Sequence, residues 1–119
     1  MFLEIFGPCI AASYACATVC DRCAVACLAD DNPDDMARCI SLTMDCAQIC
    51  RAAAALMARH SEFVDTVSEV CADLCSACAI ECGHHEARYC RQCAEACSRC
   101  AKLCREIARQ PYGGAEALA

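Results

Sequence analysis

In the stretch CATVCDRCAVAC, Cys16, Cys20, Cys23 and Cys27 follow one another at steps of four, three and four residues. An α-helix turns once in about 3.6 residues, so alternating steps of three and four keep side chains on one stripe of its surface. The alternation recurs in three further segments. In the first, Cys9, Cys16 and Cys23 lie seven apart, with Ser13, Cys20 and Cys27 interleaved. The second reads Met36, Cys39, Thr43, Cys46, Cys50, Ala53, Met57. The third reads Val64, Ser68, Cys71, Cys75, Cys78, Cys82, and one more step lands on His85. The fourth reads Cys90, Cys93, Cys97, Cys100, Cys104, Ile107. Each set is the inward seam of a bundle helix. All 17 cysteines fall on the seams, while Arg91, Glu95, Arg99 and Lys102 take outer positions.

Punctuation between the segments supports four helices. In ADDNPDD, Asn32 is placed to cap a helix, Pro33 suits a first helical position, and Asp34 and Asp35 favour the positive helix start. ARHSE ends the second segment with basic residues, His60 among them, and offers Ser61 as the cap of the third. CGHHE, residues 82–86, contains Gly83 and turns the chain again. The expected helices span roughly 8–29, 33–58, 62–83 and 86–109. Short loops make neighbours antiparallel, so the fold expected is all-α, an up-down-up-down four-helix bundle with a cysteine-lined core. Residues 1–110 form a single domain and 111–119 a flexible C-terminal tail.

Several function classes fit poorly. A net charge of −6 argues against nucleic acid, which calls for a basic surface. No apolar run approaches the ~18–20 residues of a membrane span. The start, MFLEIFGPC, lacks a basic n-region and carries Glu4 inside its apolar part, which points to a reducing cytoplasm. An odd cysteine count also disfavours a disulfide scaffold. Within one helix, Cβ atoms three or four residues apart are about 5–6 Å apart, against the ~3.8 Å of a disulfide. No seam pairs a nucleophile with its own base and orienting group, so an enzyme is not expected.

A free cysteine is often simple core filler. Seventeen of them, with Val and Leu almost excluded from the seams, instead make a soft-metal site repeated along a tube. Charge selects the metal. Each metal-bound thiol loses its proton, so a tetrathiolate zinc site is left near −2 and Fe–S clusters are generally anionic too. The seams supply no Lys or Arg to compensate a row of such charges. A monovalent soft ion bound about once per thiolate leaves the core neutral, and Cu(I) is that ion. With metal–sulfur bonds of ~2.3 Å, a linear S–metal–S unit spans about 4.6 Å, within reach of cysteines one turn apart. Such a tube stores copper. Its alternatives are an Fe–S electron carrier, whose ligands usually sit on loops, and a general zinc or thiol sink.

Antiparallel folding gathers Cys27, Met36, Cys39, Cys82, His85 and Cys90 at one end, and Phe6, Met57, Val64 and Ile107 at the other. Thiols with a thioether and an imidazole mark a metal entrance, and the apolar end reads as a plug. His84 projects outward on the same extrapolation. Ser13, Thr43 and Ser68 are expected to interrupt or border the metal array.

The repeated CxxxCxxC units and the run CAIECGHHEARYCRQCAEACSRCAKLC resemble the cytosolic branch of the bacterial copper storage proteins, over about residues 9–107. The resemblance implies a four-helix bundle that packs Cu(I) along its core, a homotetramer, and metal ingress at a histidine-bearing mouth. It carries over to Cys71, Cys75, Cys78, Cys82, His85 and the cysteines from Cys90 to Cys104. Members often have a histidine just before the cysteine opening the fourth helix. Tyr89 stands there in this chain, with His84 as the candidate substitute. The first helix adds a reason for self-association: Ala11, Tyr14, Ala15, Thr18, Val25 and Leu28 leave its outer face apolar, interrupted by Asp21 and Arg22.

Overall fold

The computed structural model describes residues 5–110, so the expected tail at 111–119 lies outside the described residues. Four helices follow in order: α1 Gly7–Leu28, α2 Ala37–Ala58, α3 Val64–Gly83 and α4 Arg88–Arg109. Each is 20–22 residues, or about 30–33 Å at 1.5 Å per residue. α1 packs on α2 and α4, and α3 packs on α2 and α4, which closes a four-helix ring. Sulfur contacts give the directions. Along α2 and α3 the pairs run Cys39 with Cys82, Cys46 with Cys75 and Cys50 with Cys71, one number rising as the other falls. Cys9 with Cys104, Cys16 with Cys97 and Cys20 with Cys93 do the same for α1 and α4. Neighbouring helices are therefore antiparallel.

The seams are the core. All 17 cysteines are buried, none more than 2% exposed. Ala17, Ala47, Ala72 and Ala101 flank them, small enough to let the helices close around the sulfurs. Phe6, Met57, Val64 and Ile107 are buried together at one end, as the plug requires. Ser13, Thr43 and Ser68 are the buried polar residues among those described.

The helix ends depart from the sequence reading in four places. Residues Pro33–Met36 form a 3₁₀ turn, and α2 proper begins at Ala37. Asn32 makes no side-chain cap there; Asp30 Oδ1 instead accepts the Asn32 N–H at 2.9 Å, an Asx turn inside the loop. Ser61 Oγ accepts the Phe63 N–H at 3.0 Å, so its turn precedes α3, which starts at Val64. Gly83 is the last residue of α3, as the sequence reading places it. An added Cβ at Gly83 would meet nothing within 4 Å. His60 is more than a basic residue near a helix end: its φ of 53° makes it the left-handed residue after α2. The Ser61 N–H reaches Leu56 O at 2.9 Å and the His60 N–H reaches Met57 O at 3.1 Å, a Schellman termination. The His60 ring lies 5.4 Å from that of Phe6, so this cap also covers the plug.

The membrane reading needs a correction as well. α1 and the segment Pro33–Ala58 have the length and mean hydropathy of a span. Ala and Cys supply that hydropathy, and the cysteine stripe of each is turned into the bundle.

Candidate metal centre

Sulfurs touch across all four helices. Cys46 Sγ lies 3.8 Å from Cys16, 3.4 Å from Cys75 and 3.9 Å from both Cys50 and Cys97. Cys50 extends the network to Cys71 and Cys100, each at 3.8 Å. Cys9 and Cys104 meet at 3.4 Å beside the plug. Cys39 joins Cys82 at 3.5 Å and Cys27 at 3.7 Å at the opposite end. No disulfide forms among the described residues, and these separations far exceed the ~2.05 Å of an S–S bond.

The sulfurs also group in fours. Cys16, Cys46, Cys50 and Cys75 lie within 4.8 Å of one another, as do Cys16, Cys20, Cys46 and Cys97. Cys20, Cys78, Cys93 and Cys97 form another such set, and Cys50, Cys71, Cys75 and Cys100 another. At the mouth, Cys23, Cys27, Cys39 and Cys90 form a set of their own. Interior sets share members, so one thiolate can bridge two ions. Sulfurs one turn apart, such as Cys16 and Cys20, are 3.9 Å apart. A three-coordinate ion with ~2.3 Å bonds needs sulfurs about 4.0 Å apart, which these pairs already offer. The linear two-coordinate unit expected from the sequence requires each pair to open by about 0.7 Å.

Protons are unevenly held in this network. Hydrogen bonds push Cys20 and Cys97 up, Cys16 contributing first to both, and Cys50 and Cys75 up, Cys100 contributing first. At the mouth, burial pushes Cys90 up to about 11 and raises Cys27 as well. Cys39 is the exception there. Hydrogen bonds from Cys23 and Cys82 hold it down to about 3, and the charge of His85 acts in the same direction.

His85 stands where the third seam predicts, half-buried beyond α3. Its Nε2 donates to Glu81 Oε2 at 2.8 Å, so Nδ1 is the ring nitrogen that this carboxylate does not engage. Arg38 Nε holds the other carboxylate oxygen of Glu81 at 3.3 Å. Met36 is buried at the same end, in the 3₁₀ turn. His84 stays exposed at the C-cap of α3. Tyr89 donates its hydroxyl to Asp30 Oδ2 at 3.2 Å, pinning the loop before α2 to the start of α4. Sequence reasoning missed Glu81, Arg38 and Asp30. For Glu81 the signal was present, a carboxylate four residues before a histidine on one helical face.

The three hydroxyl positions differ. Ser13 Oγ contacts Cys100 Sγ at 3.6 Å and so belongs to the network. Thr43 Oγ1 donates back to Cys39 O at 2.8 Å, which takes its hydroxyl away from the sulfurs. Ser68 Oγ is buried without a hydrogen-bond partner.

A cysteine-lined four-helix bundle whose sulfurs form linked metal sets is a metal-holding protein, and its donors are those of a soft ion. Known proteins agree. Residues 4–109 match the family described as copper storage protein. The cysteine-rich protein YhjQ of Bacillus subtilis is 39% identical over 100 residues, covering 84% of this chain and 93% of its own. A cytosolic copper storage protein of Streptomyces lividans with five coppers superposes with a TM-score of 0.88 at 37% identity, over 92% of this chain and 96% of that one. The Cu(I)-bound copper storage protein BsCsp3 gives a TM-score of 0.83 at 37% identity, over 91% and 99%. The chain belongs to the copper storage protein family. Its function is to store copper on its buried thiols, not to catalyse a reaction.

Proposed function

We propose that the core fills with Cu(I) to about one ion per cysteine, admitted at the Met36 and His85 end. One observation carries this reading. Every sulfur of the 17 lies within 4.8 Å of another, in a tube without a buried Lys or Arg. Monovalent ions on thiolates leave such a core neutral, whereas Fe–S clusters or stacked divalent ions would charge it. Ser13, Thr43 and Ser68 border the array and supply no thiolate.

At the mouth, Met36 and the Nδ1 of His85 hand incoming ions to Cys39. Glu81 acts as a positioning residue, fixing the imidazole through Nε2. The cytosolic relative of Streptomyces lividans supports a cytoplasmic location. The outer face of α1 supports a homo-oligomer, a tetramer as the resemblance implies: Tyr14, Val25 and Leu28 are exposed in the single chain by 49%, 69% and 63%. A Val25→Glu, Leu28→Glu variant is expected to lower the mass measured by light scattering. No nucleic acid or membrane is required as a partner.

Anaerobic Cu(I) titration of the reduced protein, with metal analysis after gel filtration, tests the reading. Saturation near the cysteine count is expected. Saturation at one or two ions per chain would refute storage in the tube.

A further inference from the structure

We propose that the cavity beside the plug binds a small aminothiol, which withdraws Cu(I) from Cys9 and Cys104, so that copper admitted at the mouth leaves from the opposite end. The inference rests on the storage reading and adds an exit to it.

The cavity, of about 170 Å³, lies between the start of α1 and the end of α4. Ile5, Pro8, Leu103 and Ile107 give it apolar walls, and Cys9 and Glu106 line it with them. Three larger grooves on the bundle, around Ser76, Ala11 and Asp45, are lined by no cysteine. Cys9 is only 2% exposed, so a ligand reaches its sulfur by entering this cavity. Pockets for drug-sized molecules run to roughly 300–1,000 Å³, so this one suits a more compact ligand.

The same place is the end of the sulfur array. Cys9 meets Cys104 at 3.4 Å, and Cys104 joins the interior through Cys100 at 3.9 Å. The next inward position on α1 is Ser13, whose hydroxyl contacts Cys100 at 3.6 Å. Neither Cys9 nor Cys104 belongs to the five sets of four sulfurs described above. An ion on this pair has two thiolates and a hydroxyl position where the interior offers a third sulfur, which leaves room for an added soft ligand. One incoming thiol forms a Cu–S bond and passes its proton to the Cys9 thiolate as the Cu–Cys9 bond breaks. A second thiol releases Cys104 in the same way, and Cu(I) departs as a bis-thiolate. No electron is transferred.

Charge sets the class of thiol. Glu106 is exposed and makes no ion pair among the described residues. Its carboxylate attracts a ligand carrying an ammonium group and repels one carrying a carboxylate. The apolar walls accept the short alkyl chain between ammonium and sulfur.

The full chain is loaded anaerobically to saturation, and copper transfer to excess bathocuproine disulfonate, which is too bulky for the cavity, is followed by absorbance. Cysteamine, mercaptoethanol or mercaptoacetate is added, and each variant is compared with the parent for the same thiol, which cancels differences in thiol acidity. Cysteamine is expected to accelerate transfer several-fold. Leu103→Trp, which fills the cavity, should remove most of that acceleration at parental helix content. Glu106→Gln should lower the cysteamine rate several-fold and raise the mercaptoacetate rate. A Met36→Ala, His85→Ala variant should keep the parental thiol-dependent rates. No acceleration by cysteamine, an unchanged cysteamine rate in Glu106→Gln or in folded Leu103→Trp, or loss of the acceleration in the mouth variant would overturn the proposal. Glu106 is exposed, so its variant decides even if Leu103→Trp fails to fold. Capacity is read by metal analysis before any thiol is added, so failure of storage shows there and failure of the exit shows only in the rates.

Discussion

Copper loading should be an exchange of Cu(I) for protons, and the sulfur spacing sets the size of the effect. Cys16 and Cys46 are 3.8 Å apart. Two thiolates at that distance repel by about 4 kcal/mol at an effective dielectric of ~20, equivalent to roughly 3 pKa units. A tube of such neighbours stays largely protonated at neutral pH. If Cu(I) entered without displacing protons, the same repulsion would act between adjacent cations, and 17 of them would swing the chain far from its net charge of −6. Neutral exchange avoids both costs. Expected, therefore, is about one proton released per Cu(I) through the titration. The assay is anaerobic addition of Cu(I) in weak buffer under a pH-stat, with native electrophoresis of the empty and loaded protein alongside. A release below about half a proton per ion throughout, or a large mobility change on loading, would refute the neutral-core reasoning.

Four further outcomes are expected. Glu81→Gln weakens the hold on His85 Nε2, so stopped-flow Cu(I) loading should slow several-fold while saturation stays the same; equal rates would remove Glu81 from the entrance. Phe6→Ala empties a plug position that is 1% exposed and should cost about 3 kcal/mol, roughly 15 °C in the melting of the metal-free protein. Gly83→Ala should stabilise by about 0.5–1 kcal/mol in urea unfolding, since the added methyl meets nothing and the unfolded chain loses freedom. Burial raises Cys90 from its ordinary 9.0 to about 11, so in that window the unfolded thiol ionises first and binds fewer protons than the folded one. Metal-free stability is then complete below pH 9 and falls toward pH 11, on the order of 2 kcal/mol for this thiol; a melting temperature that rises over the same range would contradict it.

Helix content, the inward face of every helix and the two unlike ends of the tube were legible in the chain, because all three follow from a local period. Steps of three and four residues put Cys16, Cys20, Cys23 and Cys27 on one stripe whatever the stripe later meets. His85 was reachable the same way, by one more step past Cys82. Helix ends were less legible. Asn32 is a typical capping residue, but the carboxylate of Asp30 accepts its N–H instead, and the left-handed backbone of His60 ends the second helix where no glycine stands, through contacts a few residues away that compete on small energy differences. The sulfur sets were out of reach altogether. Whether Cys39 meets Cys82 or a neighbour one turn along depends on the axial slide of α2 against α3, which the loops and side-chain packing settle together. The same holds for the pinning of Tyr89 to Asp30 and of Arg38 to Glu81, between residues far apart in the chain. Periodicity decides which side chains face inward; only packing decides which of them touch, and a metal is held by those that touch.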